Sequence, residues 1–164
     1  MDTKLLGIYL NDHLAGSVVG VELAKRAAAN NEGTPLGDFL AELSADIEAD
    51  RDSLKAIMDH LGVSENRVKM PLAWTAEKLG RLKPNGQLTG YSPLSRLIEL
   101  EGLTLGVTGK LGLWRSLAAT SSDLGTFSLE TLIKRAESQQ DALEEHRLEA
   151  AKLAFGESAL RDPA

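Results

Sequence analysis

Apolar residues recur at helical spacing along most of the chain, and no stretch alternates apolar and polar residues as a half-buried strand does. The pattern predicts four long helices, near residues 2–29, 34–61, 94–119 and 128–155. Each is roughly 26 to 28 residues long, or about 40 Å at the α-helical rise, so the four can lie side by side. The sequence therefore predicts an all-α protein.

The second predicted helix has the strongest periodic signal. Thr34 is a favourable N-cap, Pro35 suits the first helical turn, and Gly62 is a typical stop. Asp50 interrupts an apolar series that otherwise keeps a spacing of three and four residues. The series comprises Leu36, Leu40, Leu43, Ile47, Leu54, Ile57 and Leu61.

The connections between the helices predict how they are paired. The first two helices and the last two are joined by short turns, which predicts two antiparallel helical hairpins. A long crossover joins the hairpins, and Pro71 opens a predicted short helix at 71–80 within it. We expect residues 1–156 to form a single helical-bundle domain and residues 157–164 a flexible tail.

Two segments, Glu48 to Gly62 and Tyr91 to Gly106, together with the order of helices, resemble the ferritin-like superfamily. The resemblance implies a ferritin-like four-helix bundle. Metal-binding members of that superfamily carry Glu on two helices and Glu-x-x-His on the other two. The chain departs from this motif, because none of His13, His60 and His146 has a Glu three residues before it. The resemblance is therefore to a divergent member that lacks the metal motif.

Several polar residues nevertheless occupy apolar stripes and are candidates for an unusual metal site. A buried carboxylate must be paired, neutralised or bound to a metal. If the helices align, the candidates converge at the middle of the bundle with iron or manganese as the alternative cofactor. The alternative is a purely structural role, in which Asp50 reaches solvent or a nearby Arg and His146 is a core or boundary residue. The candidate metal residues are Glu22, Asp50, Glu101, Glu137 and His146.

Glu101 is preferred to Glu99 because it shares a helical stripe with Ile98 and Leu105. The Glu99 side chain is expected on a different face. Without the Glu-x-x-His motif, we expect no stoichiometric metal and no cofactor.

Composition narrows the classes of function. The chain has 164 residues, 43% of them hydrophobic but only 4% aromatic, so the core is expected to consist of Leu, Ala, Val and Ile. The absence of cysteine excludes disulfides, thiolate metal sites and cysteine nucleophiles. No apolar run has the length of a membrane span and no export signal opens the chain, so we expect a cytoplasmic protein with no membrane partner.

The net charge of −6 argues against a nucleic-acid partner. Residues 66–96 are basic, however, and include Lys78, Arg81 and Lys83. This segment either packs near the acidic second helix or forms a surface for an anion or a partner.

The third long helix is rich in glycine and apolar on more than one face. A helix of a small bundle needs one such face, so Leu103, Leu113 and Leu117 are expected to form an exposed apolar patch in a monomer. This predicts a homodimer through these residues. The rival interpretation is that the short helix, with its own apolar residues, covers the patch.

Three functions are compatible with these observations. The missing Glu-x-x-His motif favours a non-catalytic ferritin-like helical-bundle protein that acts through association. The alternatives are a carboxylate-rich metal-binding protein, such as an oxidoreductase, and a bundle that binds a small apolar ligand in its core.

Overall fold

The computed structural model describes residues 3–66, 91–120, 124 and 127–156, and the prediction of an all-α protein with four long helices is confirmed. Each helix boundary lies within one residue of the predicted one. None of the described residues forms a strand. The helices are α1 (Thr3–Asn30), α2 (Pro35–His60), α3 (Pro93–Thr120) and α4 (Leu129–Phe155).

Several sequence predictions fall on residues outside the described ranges. They concern the short helix at 71–80, the basic residues Lys78, Arg81 and Lys83, and the tail at 157–164.

The helix ends are set by local side chains. Thr34 caps α2, where its hydroxyl accepts a hydrogen bond from the Gly37 N–H at 3.1 Å. Ser128 caps α4 in the same way by accepting from the Thr131 N–H. These contacts satisfy donors that the first helical turn leaves free. Gly62, with φ of +67°, ends α2 in the left-handed region that favours glycine.

The helices pack so that α1 contacts α2 and α3, while α4 contacts α3 and α2. The core consists of two apolar clusters, one around Leu40, Leu100 and Leu143 and the other around Ile57 and Trp114. Along α2, α3 and α4, polar side chains lie where one cluster gives way to the other. The core is therefore divided by a polar layer.

The prediction of an exposed apolar patch on α3 is wrong. Leu103, Leu113 and Leu117 are only 2%, 2% and 1% exposed, because α3 packs against both α1 and α4 and so buries two faces within the chain. Leu105 is the exposed leucine of this helix, at 74%. The three buried leucines therefore cannot provide the dimer surface, and the homodimer is left without the observation that predicted it.

Among the helices that the structure describes, none combines the length and apolar character that a membrane span requires.

Candidate functional site

Asp50 is the centre of the polar layer between the two apolar clusters. It lies on α2, is 2% exposed, and faces α3 and α4. Lys110 of α3 donates from Nζ to Asp50 Oδ2 at 2.5 Å, and Arg135 of α4 donates to Oδ1. Both carboxylate oxygens of Asp50 are therefore held by cations.

Gln139 completes this buried cluster from α4. Its Oε1 accepts from Lys110 Nζ at 2.5 Å, and its Nε2 donates to Asp46 Oδ2 at 2.9 Å. The cluster thus holds two carboxylates and two cations, and its formal charges cancel. Such compensation is what allows charged groups to remain in a protein interior.

Burial also changes the protonation chemistry of the cluster. Desolvation lowers the pKa of the Lys110 ammonium, and the neighbouring Asp50 carboxylate opposes part of that effect. The side chain of Lys110 keeps only 13% of its surface exposed. A change that removes the Asp50 charge is therefore expected to lower the pKa of Lys110 further.

The structure does not bring the predicted metal residues together. Glu22 is exposed to solvent on α1, and Glu137 pairs with Arg115 at 2.7 Å on the surface. His146 lies at a boundary, where its ring packs on Phe39 with centroids 4.6 Å apart. Of the five candidates, only Asp50 reaches the interior.

Glu101 is not inward-facing, so the preference for it over Glu99 is wrong. Its side chain is 50% exposed and lies 3.9 Å from Arg147. Glu99 is the buried carboxylate, and it accepts hydrogen bonds from Tyr91 at 2.9 Å and Arg26 at 3.0 Å. The apolar stripe that faces the core does not include the exposed Leu105, which is why spacing from that residue misplaced the glutamate.

These positions do not fit a two-metal carboxylate site of the ferritin-like kind. Within the described residues, no three His, Asp or Glu side chains are grouped as a metal would need. The most buried of the metal candidates, Asp50, already uses both oxygens for Lys110 and Arg135. A cation at this position would have to displace one of them.

A groove of about 240 Å³ lies beside the polar cluster, between α1, α2 and α3. Glycines contribute much of its lining, and a side-chain carbon at three of them, Gly16, Gly106 and Gly109, would meet nothing within 4 Å. Leucine, valine, isoleucine and tryptophan side chains supply its apolar walls. The missing side chains therefore leave open an apolar space that larger residues would occupy.

The groove also has a polar part. Asp50 and Lys110 line it, together with His13 and Arg51. Burial lowers the pKa of His13 against a smaller opposing effect of Asp12, which favours a neutral imidazole. Arg51 Nε and Trp114 Nε1 are buried donors without an acceptor among the described residues, and both residues line the groove.

Sequence reasoning singled out Asp50, but it missed Lys110, Arg135 and the groove. One signal was present: Lys110 lies between the apolar positions Val107 and Leu111, where a cation needs a partner.

Neither the models of protein families nor the curated proteins and solved structures compared with the chain give a match. Function is therefore inferred from the groove and the polar cluster themselves.

Proposed function

We propose that this protein is a non-catalytic binding module that holds a small, largely apolar molecule in the groove between α1, α2 and α3. The observation that carries the proposal is the glycine lining of the groove. Glycine in a helix interior costs up to about 1 kcal/mol relative to alanine. Retaining several in two facing helices is explained if the space they leave is used.

The size of the groove suits a small molecule. An engineered apolar cavity of about 150 Å³ binds benzene, so a groove of about 240 Å³ has room for a somewhat larger ligand. Apolar walls with a few polar groups are typical of small-molecule sites. An eight-carbon chain with one polar end has suitable dimensions and chemistry.

The charge-compensated cluster supports a structural role for Asp50. Since Lys110 and Arg135 already hold its carboxylate, iron or manganese chemistry is not part of the proposal. Binding of a ligand, rather than the association that the sequence favoured, is preferred because the predicted association surface is buried.

The experiment is a calorimetric titration with 1-octanol. At roughly 0.6 kcal/mol per non-hydrogen atom, the expected Kd is about 0.1 mM. Gly20→Leu should abolish binding, because the Cβ at this position is directed towards Ile47 across the groove, at 3.8 Å. Gly106→Leu, at a position with open space around the Cβ, is a second filling variant that is expected to fold.

Gly112→Leu is the matched control, because Gly112 is on the same helix as Gly106, has equally open space and does not line the groove. Binding that is retained in both filling variants, or absent from the unaltered protein, would overturn the proposal.

We further propose that the bundle has the two-hairpin topology of ferritin-like proteins. Contacts from α1 to α2 and the residues that directly follow it, and from α1 to α3, run in opposite order along the two chain segments, which supports antiparallel packing in both cases. The pairs are Lys25 with Glu48, Asn11 with Ser64, Arg26 with Glu99, and Tyr9 with Ser116.

With α2 and α3 both antiparallel to α1, the end of α2 and the start of α3 lie at opposite ends of the bundle. Spin labels on Asp59→Cys and Pro93→Cys, in a chain without other cysteines, are then expected about 39 Å apart, the length of the 26-residue α2. A separation of less than half that value would exclude this topology.

A further inference from the structure

Two residues that line the groove carry buried donors without an acceptor, and these donors indicate which polar end a ligand would need. Trp114 is 1% exposed and its Nε1 has no acceptor among the described residues; Arg51 Nε is buried in the same condition. A buried donor without an acceptor is costly and uncommon in proteins. A ligand that displaces the side chains covering these two atoms and supplies an acceptor to them would remove that cost.

The acceptor atoms of the neighbouring polar cluster, in contrast, already receive hydrogen bonds. The two oxygens of Asp50 accept from Lys110 and Arg135, and Gln139 Oε1 accepts from Lys110. A cationic ligand head would compete with both of these cations for one carboxylate. The hydrogen-bonding pattern therefore disfavours an amine and favours an acceptor.

The charges lead to the same preference. The cluster of Asp46, Asp50, Lys110 and Arg135 has no net formal charge, so Arg51 makes the lining of the groove net positive. Glu48 is close enough for its charge to interact with Arg51, but its carboxylate pairs with Lys25 at 2.6 Å. No carboxylate of the described residues lies within ion-pair distance of the Arg51 guanidinium. Guanidinium groups bind carboxylates through short, charge-assisted hydrogen bonds.

We propose that the groove binds a small apolar monocarboxylate whose carboxylate oxygens accept hydrogen bonds from Arg51 and Trp114. This inference rests on the proposed function, since it assumes that the groove holds a ligand. The apolar part of the acid occupies the space beside the glycines. The acid is bound and released without covalent change.

The test compares octanoate, 1-octanol and octylamine in calorimetric titrations of the full chain at neutral pH. The three share one chain length and differ in the head. Charge-assisted hydrogen bonds contribute enough that octanoate should bind at least about tenfold more tightly than octanol. Octylamine should bind more weakly than octanol.

Two variants assign the preference to residues. Arg51→Gln should lower octanoate affinity far more than octanol affinity, so that the ratio of the two affinities falls to near one. Trp114→Phe keeps an aromatic ring but removes the N–H. It should lower the octanoate-to-octanol affinity ratio by less than Arg51→Gln does. Arg115→Gln is the matched control, because it removes the same charge from a surface position that does not line the groove.

The outcomes separate this inference from the proposed function. Equal affinity for octanoate and octanol, or preference for octylamine, overturns the carboxylate assignment and leaves the apolar groove in place. An octanoate preference that survives Arg51→Gln overturns the assignment to that residue. If none of the three compounds binds, both the proposed function and this inference are wrong.

Discussion

Replacing Asp50 by asparagine removes the carboxylate that Lys110 and Arg135 both contact, with almost no change in side-chain volume. The substitution therefore creates no cavity, and its effect on stability is electrostatic. Lys110 and Arg135 are left close to each other, and the amide oxygen of asparagine can accept from only part of that charge.

The expected cost in the free energy of unfolding is about 3 kcal/mol. Breaking a buried ion pair by removing one partner costs roughly 3–5 kcal/mol. The lower end applies here because Arg135 is 30% exposed and can turn its guanidinium towards water. Lys110, at 13%, has less access and a pKa already lowered by burial, so it is expected to lose its proton more readily in the variant.

The assay is urea unfolding followed by far-ultraviolet circular dichroism. When the same signal is followed during heating, a loss of about 3 kcal/mol corresponds to a decrease in Tm of roughly 6–12 °C for a domain of this size. The double variant Asp50→Leu/Lys110→Met removes the pair together and should recover much of the loss, as hydrophobic replacement of buried pairs often does.

Glu48→Gln, which breaks an exposed pair with Lys25, is the control and should have a much smaller effect. High salt should weaken that surface pair but barely alter the cost of Asp50→Asn. An Asp50→Asn variant within about 1 kcal/mol of the unaltered protein would show that Asp50, Lys110 and Arg135 do not depend on one another for stability.

Three further predictions concern other regions of the molecule. Gly106→Ala should stabilise the protein by up to about 1 kcal/mol and weaken octanol binding, whereas Gly112→Ala should stabilise it without affecting binding; equal loss of binding in both would contradict the role of the groove. Leu113→Glu should destabilise the fold by at least about 3 kcal/mol in urea unfolding, because it buries an unpaired carboxylate; retained stability with a lower mass by light scattering would instead support a dimer surface. Burial raises the pKa of Tyr91 to about 12, and the Glu99 carboxylate adds to the effect. The free energy of unfolding is therefore expected to fall as pH rises from about 10 to 12. Tyr91→Phe should lack this part of the pH dependence. Indistinguishable alkaline unfolding profiles for the two proteins would contradict it.

The sequence predicted the helices well because their ends carry local signals. Thr34 and Ser128 cap the helices that they precede, and Gly62 terminates α2. The apolar spacing of α2 identifies a single buried face, so Asp50 could be recognised within it as a polar residue in an apolar position.

The same reasoning failed on α3 because that helix is apolar on two faces. Periodicity identifies an inward face only when another face is clearly polar. With two apolar faces, Glu101 was assigned to the core in place of Glu99, and Leu113 and Leu117 were assigned to the surface. Contact with both α1 and α4 resolves the ambiguity, and that contact depends on how helices are arranged in space.

The polar cluster shows a second limit of spacing within one helix. Asp50, Lys110 and Arg135 belong to three helices, and they meet only if the helices are aligned along their axes to within about one turn. The spacing of apolar residues within each helix does not determine that alignment. Once the alignment is known, its physical reason is clear. A buried acid in α2 and a buried base in α3 each lack an ion-pair partner within their own apolar stripe, and the alignment pairs them.

Asp50 and Lys110 belong to the cluster and also line the groove, so the two features are linked. A ligand that binds only the folded chain stabilises it by about 2.7 kcal/mol at a hundred times its Kd, which is close to the expected cost of Asp50→Asn. Changes at Asp50 or Lys110 would therefore alter stability and binding together and leave their causes mixed. Arg51 and the glycines of α3 lie outside the ion-paired cluster, so changes at these positions alter the groove while leaving the ion pairs of Asp50 in place. The helix-propensity part of the Gly106→Ala effect is measured separately by Gly112→Ala.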